Sequence, residues 1–160
     1  MLPEEVKKLI GTNRGIRVFE VEKGAIRKFA DAVDDRNPLY WDDEYAKNSK
    51  YGAVIAPPGF FGWPTKWEED RTFPPTFEED AEPRGSLLKA GYGRQLDGGM
   101  DYEFYIPVRA GDTIVVSSTI RDIIERDGKT GKLFFIITET TYTNQNGDLV
   151  AKSRSTTINR

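Results

Sequence analysis

From Gly98 onward the sequence keeps the two-residue period of a β-sheet. Met100, Tyr102, Phe104, Ile106 and Val108 take every second position, with Asp101, Glu103, Tyr105 and Pro107 between them. Such alternation gives a strand one apolar and one polar face. After the R-A-G-D turn, Asp112 to Glu125 reads as a second strand, Lys132 to Thr143 as a third and Leu149 to Ile158 as a fourth. Asp127-Gly128 is a hairpin signal, because glycine supplies the positive backbone angles a tight turn requires. Four long consecutive strands predict an antiparallel meander. A sheet of this kind cannot leave Tyr102, Phe104, Phe135 and Ile137 all facing water, so another element must cover one face.

The residues before Gly98 supply the candidates. Leu2 to Ile10 reads as a short helix, opened by Pro3 and stopped by Gly11. Ile16 to Glu22 is a mixed-pattern strand. From Lys23 the period becomes helical, with Ile26, Phe29, Ala30 and Val33 on one stripe, until Asp34 and Asp35 end it. Phe60, Trp63 and Trp67 have helical spacing, which predicts an aromatic helix over about residues 59 to 69, kinked or delayed by Pro64, lying across the sheet. Residues 66–97 show little periodicity and read as a long surface excursion. The whole is an α+β arrangement over 1–160, expected as a single domain.

Composition narrows the chemistry. The chain has no cysteine, which excludes disulfides, thiolate metal sites and a cysteine nucleophile. It has no histidine either. That removes the commonest general base at neutral pH, every Ser-His-Asp arrangement and most transition-metal sites. Proton transfer is left to carboxylate, tyrosine, lysine or water. With 23 basic against 26 acidic residues and a net charge of -3, nothing points to nucleic acid. The charged amino terminus does not read as a signal peptide, and no apolar run approaches the roughly 18 residues of a membrane span. A cytoplasmic location, no membrane and no metal are the expectations.

One stretch carries more. D-R-N-P-L-Y-W-D-D-E-Y-A, from Asp35 to Ala46, resembles the signature loop of MaoC-like dehydratases and (R)-specific enoyl-CoA hydratases, approximately G-D-x-N-P-[LIV]-H followed by a small residue. Asp35, Asn37, Pro38, Leu39 and Ala46 match in type and spacing. Asp34 stands at the glycine and Tyr40 at the histidine. Y-G-A-V-I-A-P-P-G-F and L-D-G-G-M-D-Y-E-F-Y-I-P-V-R-A-G-D also resemble that family, in particular its usually non-catalytic N-terminal half-domain, and the resemblance covers roughly residues 10 to 158.

The resemblance implies the hot-dog fold, an antiparallel sheet wrapped around a central helix. It also implies the family's reaction, reversible addition of water to a trans-2-enoyl thioester, with no cofactor. Asp35 would be the acidic partner in that chemistry, Asn37 an orienting hydrogen-bonder, and Gly59 a backbone donor to the thioester oxygen at a helix start. Phe60 and Trp63 would line the acyl site. Tyr40 breaks the dyad, since a phenol with a reference pKa near 10 is a poor base at pH 7. Asp35, Asn37 and Gly59 also have plain readings as turn and packing residues. Arg84, Lys89 and Arg94 are candidates for coenzyme A phosphates or simply solvated.

The leading expectation is a non-catalytic hot-dog subunit that binds an acyl thioester, of coenzyme A or a carrier protein, and pairs with a histidine-bearing MaoC-like subunit. The alternatives are a thioesterase in which Asp35 activates water, and a homodimeric acyl-thioester binder without activity.

Overall fold

The structure, a computed structural model, describes residues 4–64 and 84–160. A short helix α1 (Glu4–Lys7) leads into β1 (Asn13–Glu20), which starts and ends earlier than the Ile16 to Glu22 expected. Helix α2 (Lys23–Ala32) is followed by two short helices, α3 (Pro38–Trp41) and α4 (Asp43–Asn48). Next come the two-residue strand β2 (Trp63–Pro64) and helix α5 (Arg84–Lys89). Four long strands complete the chain: β3 (Gln95–Phe104), β4 (Thr113–Gly128), β5 (Gly131–Thr143) and β6 (Leu149–Asn159). Among the described residues no helix is long and apolar enough to cross a membrane.

All six strands join one antiparallel sheet in the order β2-β1-β4-β5-β6-β3. The meander holds for β4, β5 and β6. β3 does not sit beside β4, because β1 already occupies that edge from Asn13 to Glu20. It crosses instead to the far side of β6 and becomes the sheet's outer strand.

Two further expectations change. The tight turn between β4 and β5 lies at Lys129-Thr130, since Gly128 pairs with Gly131. Gly128 is needed for closeness rather than for a positive angle: a Cβ there would meet the Gly131 carbonyl oxygen at 3.0 Å and Leu133 at 3.1 Å. The aromatic helix does not start at Gly59. Residues 57–60 make a turn closed by Phe60 N–H to Pro57 O at 3.1 Å, Gly59 and Gly62 both have φ of +92°, and Trp63–Pro64 pairs with β1. Proline suits this position because β2 is an edge strand. Residues 65–69 of the expected helix lie outside the described residues, as does the excursion through residue 83. The end of that excursion is ordered differently from the expectation, as α5 and the start of β3.

The buried side chains form two clusters. The larger joins Ile26 and Ala30 of α2 and Phe60 and Phe61 of the 50s loop to Ile114, Val116 and Tyr142 of the sheet. The smaller collects Val6, Leu87, Ile120, Ile123, Phe134 and Ile136. Between them runs one rung of small hydroxyls across the sheet, Ser118, Thr140 and Ser153, all buried, with Ser118 and Thr140 hydrogen-bonded at 2.8 Å. Pairing offsets the cost of burying these hydroxyls.

Phe61 stacks on Tyr142 at 3.9 Å between centroids, and Tyr102 and Phe104 of β3 extend the aromatic group outward. Burial pushes the Tyr102 phenol up to about 12, with neighbouring Tyr142 adding to the shift.

Ile26 is fully buried, so Ile26→Ala should cost about 2–5 kcal/mol in denaturant unfolding, whereas Ile16→Ala, at 68% exposure, should stay within about 0.5 kcal/mol. In an absorbance titration Tyr102 should ionise among the last tyrosines. The unfolded phenol ionises near 10 and the folded one near 12, so stability should fall as pH rises through that window, and less so in Tyr102→Phe.

Candidate active site

The Asp34–Asn48 segment is a chain of side-chain caps. Asp34, at the position of the resemblance's glycine, has φ of +53° and is the one described non-glycine residue with a positive φ. Aspartate tolerates this left-handed conformation better than most side chains. Arg36 Nε donates to its carboxylate at 2.9 Å. The Asp35 carboxylate accepts from Asn37 N–H at 3.1 Å, and Asn37 Oδ1 accepts in turn from Leu39 N–H at 3.1 Å, capping α3 with Pro38 in its first turn. Trp41 Nε1 donates back to the Asp35 carbonyl at 3.0 Å. Asp42 caps α4 through Glu44 and Tyr45 N–H groups. Arg27 of α2 ties the assembly down, donating to the Trp41 carbonyl at 2.8 Å and to Asp43 at 2.9 Å.

A second wall comes from the sheet. Ala56 N–H donates to Val108 O at 2.8 Å and Ala110 N–H to Val54 O at 3.0 Å, while Ile55 N–H reaches Leu39 O at 3.2 Å. These bonds clamp the 50s loop between α3 and the segment that follows β3. They enclose a cavity of about 320 Å³. Asn37 and Tyr40 line one side, Gly59 and Phe60 another, and Phe104 to Val108 a third. No charged residue lies among the described residues lining it.

The structure therefore brings together Asn37, Tyr40, Gly59 and Phe60 and leaves out two expected residues. Asp35 does not line the cavity; its carboxylate accepts the Asn37 N–H of the turn. Trp63 is 59% exposed and also does not line it, because β2 pairing with Glu20 draws it to the sheet edge, against Phe60 at 5.8 Å. Gly59 lies in a turn and not at a helix start, and its N–H makes no hydrogen bond among the described residues. Lys89 and Arg94 are not among the residues lining the cavity, and the Arg84 side chain lies outside the described ones. Arg94 exchanges backbone hydrogen bonds with Arg160 beside the opposite end of β3. Sequence reasoning missed Tyr51, Phe61 and Tyr105 as lining residues; Tyr105 reads as one of the intervening positions of the alternation, and no local signal marks the other two.

Tyr40 is 6% exposed. Burial pushes its phenol up, the Asp35 carboxylate pushes the same way, and a hydrogen bond with Asn37 opposes them. At neutral pH this group is a protonated phenol and takes no proton. The cavity can hold an apolar chain and orient a carbonyl through phenol and amide groups.

The sequence matches the family model for the FAS1-like dehydratase domain region over residues 8–153. A UPF0336 protein of Streptomyces avermitilis is 39% identical over 66% of this chain, and this chain spans 63% of that relative's length. Another, from Saccharopolyspora erythraea, is 31% identical over 89% of this chain and 82% of its own. A Thermomonospora curvata protein named "Probable enoyl-CoA hydratase alpha subunit" is 30% identical over 81% of this chain and 41% of its own length. Among solved structures, the ChsH1-ChsH2 complex of Mycobacterium tuberculosis matches with a TM-score of 0.75 at 19% identity, over 96% of this chain and 90% of that one. The MaoC-like dehydratase of Rhodospirillum rubrum matches with a TM-score of 0.61 at 20% identity, over 96% and 94%. The described architecture is that of the hot-dog fold, and the chain belongs to the FAS1-like dehydratase domain family.

Proposed function

We propose that residues 1–160 act as one hot-dog domain, a subunit of a heteromeric enoyl-CoA hydratase or 3-hydroxyacyl-thioester dehydratase, whose cavity shapes the acyl-thioester site while the proton-transfer groups come from a histidine-bearing partner. The observation that carries this reading is the Tyr40 position. The loop is held by successive caps, with Asp34 left-handed, yet the side chain where the resemblance expects histidine is a buried phenol raised above its ordinary pKa. Hydration bonds the water oxygen to the β-carbon, keeps one of its protons as the product hydroxyl and gives the other to a base, while an acid delivers a proton to the α-carbon. In this chain the phenol cannot be that base at pH 7, and Asp35 is turned into the loop. Two of the similar proteins agree in kind: the complex of two chains and the hydratase alpha subunit.

The cavity's contribution is then binding and orientation. Phe60, Phe61 and Ile106 offer apolar walls for the acyl chain. Asn37 and Tyr40 offer polar contacts near its end. The thioesterase alternative loses ground, because the carboxylate it needs does not face the cavity.

The deciding experiment is a crotonyl-CoA hydration assay of the chain alone, of a histidine-bearing MaoC-like chain encoded beside it, and of the two co-expressed. The expected result is no hydration by this chain alone and full activity by the pair. Hydration by this chain alone at rates ordinary for an enzyme sinks the reading. Tyr40→Phe, which removes only the hydroxyl, should raise the pair's KM for crotonyl-CoA by about threefold or more while kcat stays near wild type, and cost about 1 kcal/mol of stability for the lost hydrogen bond. Because the folded phenol ionises above the unfolded one, wild-type stability should fall above about pH 10 relative to Tyr40→Phe, and the two curves should run parallel below it.

A further inference from the structure

At the end of the sheet where β4 turns into β5 there is a second recess, of about 440 Å³. Tyr92 and Arg94, just before β3, line one side; Thr130, Gly131 and Lys132 of the β4–β5 turn line another, and Arg160 a third. None of its lining residues lines the cavity described above.

Two arginines stand face to face in it. Arg94 and Arg160 exchange backbone hydrogen bonds, N–H to O at 3.0 and 2.9 Å, one pair beyond the register partners Gln95 and Asn159. Residues that exchange both bonds lie directly opposite, with Cα atoms about 5.5 Å apart and side chains on the same face. Asn159 is fully buried, so strand alternation turns Arg160, and Arg94 with it, outward. Like charges directly opposite destabilise a strand pair.

Nothing among the described residues neutralises this pair. The carboxylates of Glu125 and Asp127 are bonded to Lys132, at 2.9 and 2.6 Å, and no described carboxylate forms an ion pair with Arg94 or Arg160. Arg126 of β4 adds a third guanidinium alongside, in register with Leu133 of the recess and over the Phe135 ring at 5.2 Å. The chain as a whole has a net charge of -3, so this basic end is a local feature and not part of a generally basic surface.

The donors indicate the ligand. A guanidinium offers a planar fork of N–H groups that matches an oxyanion bidentately, and a phosphoryl group presents three strong acceptor oxygens on one small centre, enough for two forks at once. We infer that this recess is a binding site for a phosphoryl-bearing small molecule, held between Arg94 and Arg160 in the positive field of Arg126. Its occupation would relieve the repulsion between the opposed arginines. The site is separate from the acyl cavity and does not depend on the heteromeric reading.

Pyrophosphate is the probe, titrated calorimetrically into the full chain at low salt. The wild-type chain should bind it, with affinity falling as salt rises. Arg94→Gln with Arg160→Gln should weaken binding at least about tenfold, and Arg94→Lys, which keeps the charge but loses the fork, about threefold or more. Lys28→Gln with Lys47→Gln removes the same charge from α2 and α4 and should leave the affinity within about twofold of wild type. All four positions are exposed, so these variants should fold, as circular dichroism would verify. Malonate, which offers carboxylates in place of phosphoryl groups, should bind at least about tenfold more weakly than pyrophosphate. Wild type that does not bind pyrophosphate, an arginine double variant that binds like wild type, or an equal loss in the lysine variant overturns the site. Malonate binding as tightly as pyrophosphate overturns the phosphoryl assignment.

Discussion

The geometry of the site depends on a short interlock of backbone hydrogen bonds between Val54–Ala56 and Val108–Ala110. It is formed by only two bonds and the Ile55–Arg109 bridge between them. Those bonds join segments over fifty residues apart and bring the capped loop, the proline-glycine turn and the end of β3 to one cavity. The same region is locked from the other side, where Val21 accepts from Gly111 N–H at 2.8 Å and donates to Asp112 O at 2.9 Å. Phe60 and Phe61 fill the space beneath, against Phe29 and Tyr142. Without the interlock the polar residues of the loop and the apolar wall would belong to different surfaces.

The loop is held by side-chain bonds that are independent of any proton transfer. Asp34 adopts the left-handed angle that a glycine would take without strain, with Arg36 bonded to its carboxylate. Asp35 and Asn37 spend their side-chain oxygens on successive turn and cap bonds, and those bonds need only an acceptor at the right height. Catalysis needs more, an accessible base. A buried tyrosine at position 40 preserves the packing and the local hydrogen bonding while supplying no proton acceptor at neutral pH.

What the sequence disclosed follows the range of the forces involved. The long strands were legible because a two-residue alternation is local, and β4, β5 and β6 pair through short turns. The place of β3 was not, because the competition between β1 and β3 for one edge of β4 is decided by contacts distant in sequence. Phe60, Trp63 and Trp67 imitate a helical stripe, but the two prolines before Gly59, the glycines at 59 and 62 and Pro64 outweigh them, and close approach seals the outcome: a Cβ on Gly62 would stand 2.3 Å from the Glu20 carbonyl oxygen. Of the residues lining the cavity, Asn37 and Tyr40 were reached through the loop motif, and Gly59 and Phe60 through the separate Y-G-A-V-I-A-P-P-G-F stretch. The third wall was not, since nothing near Phe104 to Val108 in the chain announces which loop will be hydrogen-bonded to it.

The hydroxyl rung of Ser118, Thr140 and Ser153 divides the buried apolar residues into a part that frames the cavity and a part that does not. Few apolar contacts cross it, so loosening on one side is poorly transmitted to the other, the condition under which a fold opens in separate cooperative units. The cavity end can then accommodate a change of side chain locally, while the end built on Phe134 and Leu87 holds the strands in register. A partition of this sort lets one scaffold diversify its contents without renegotiating its frame.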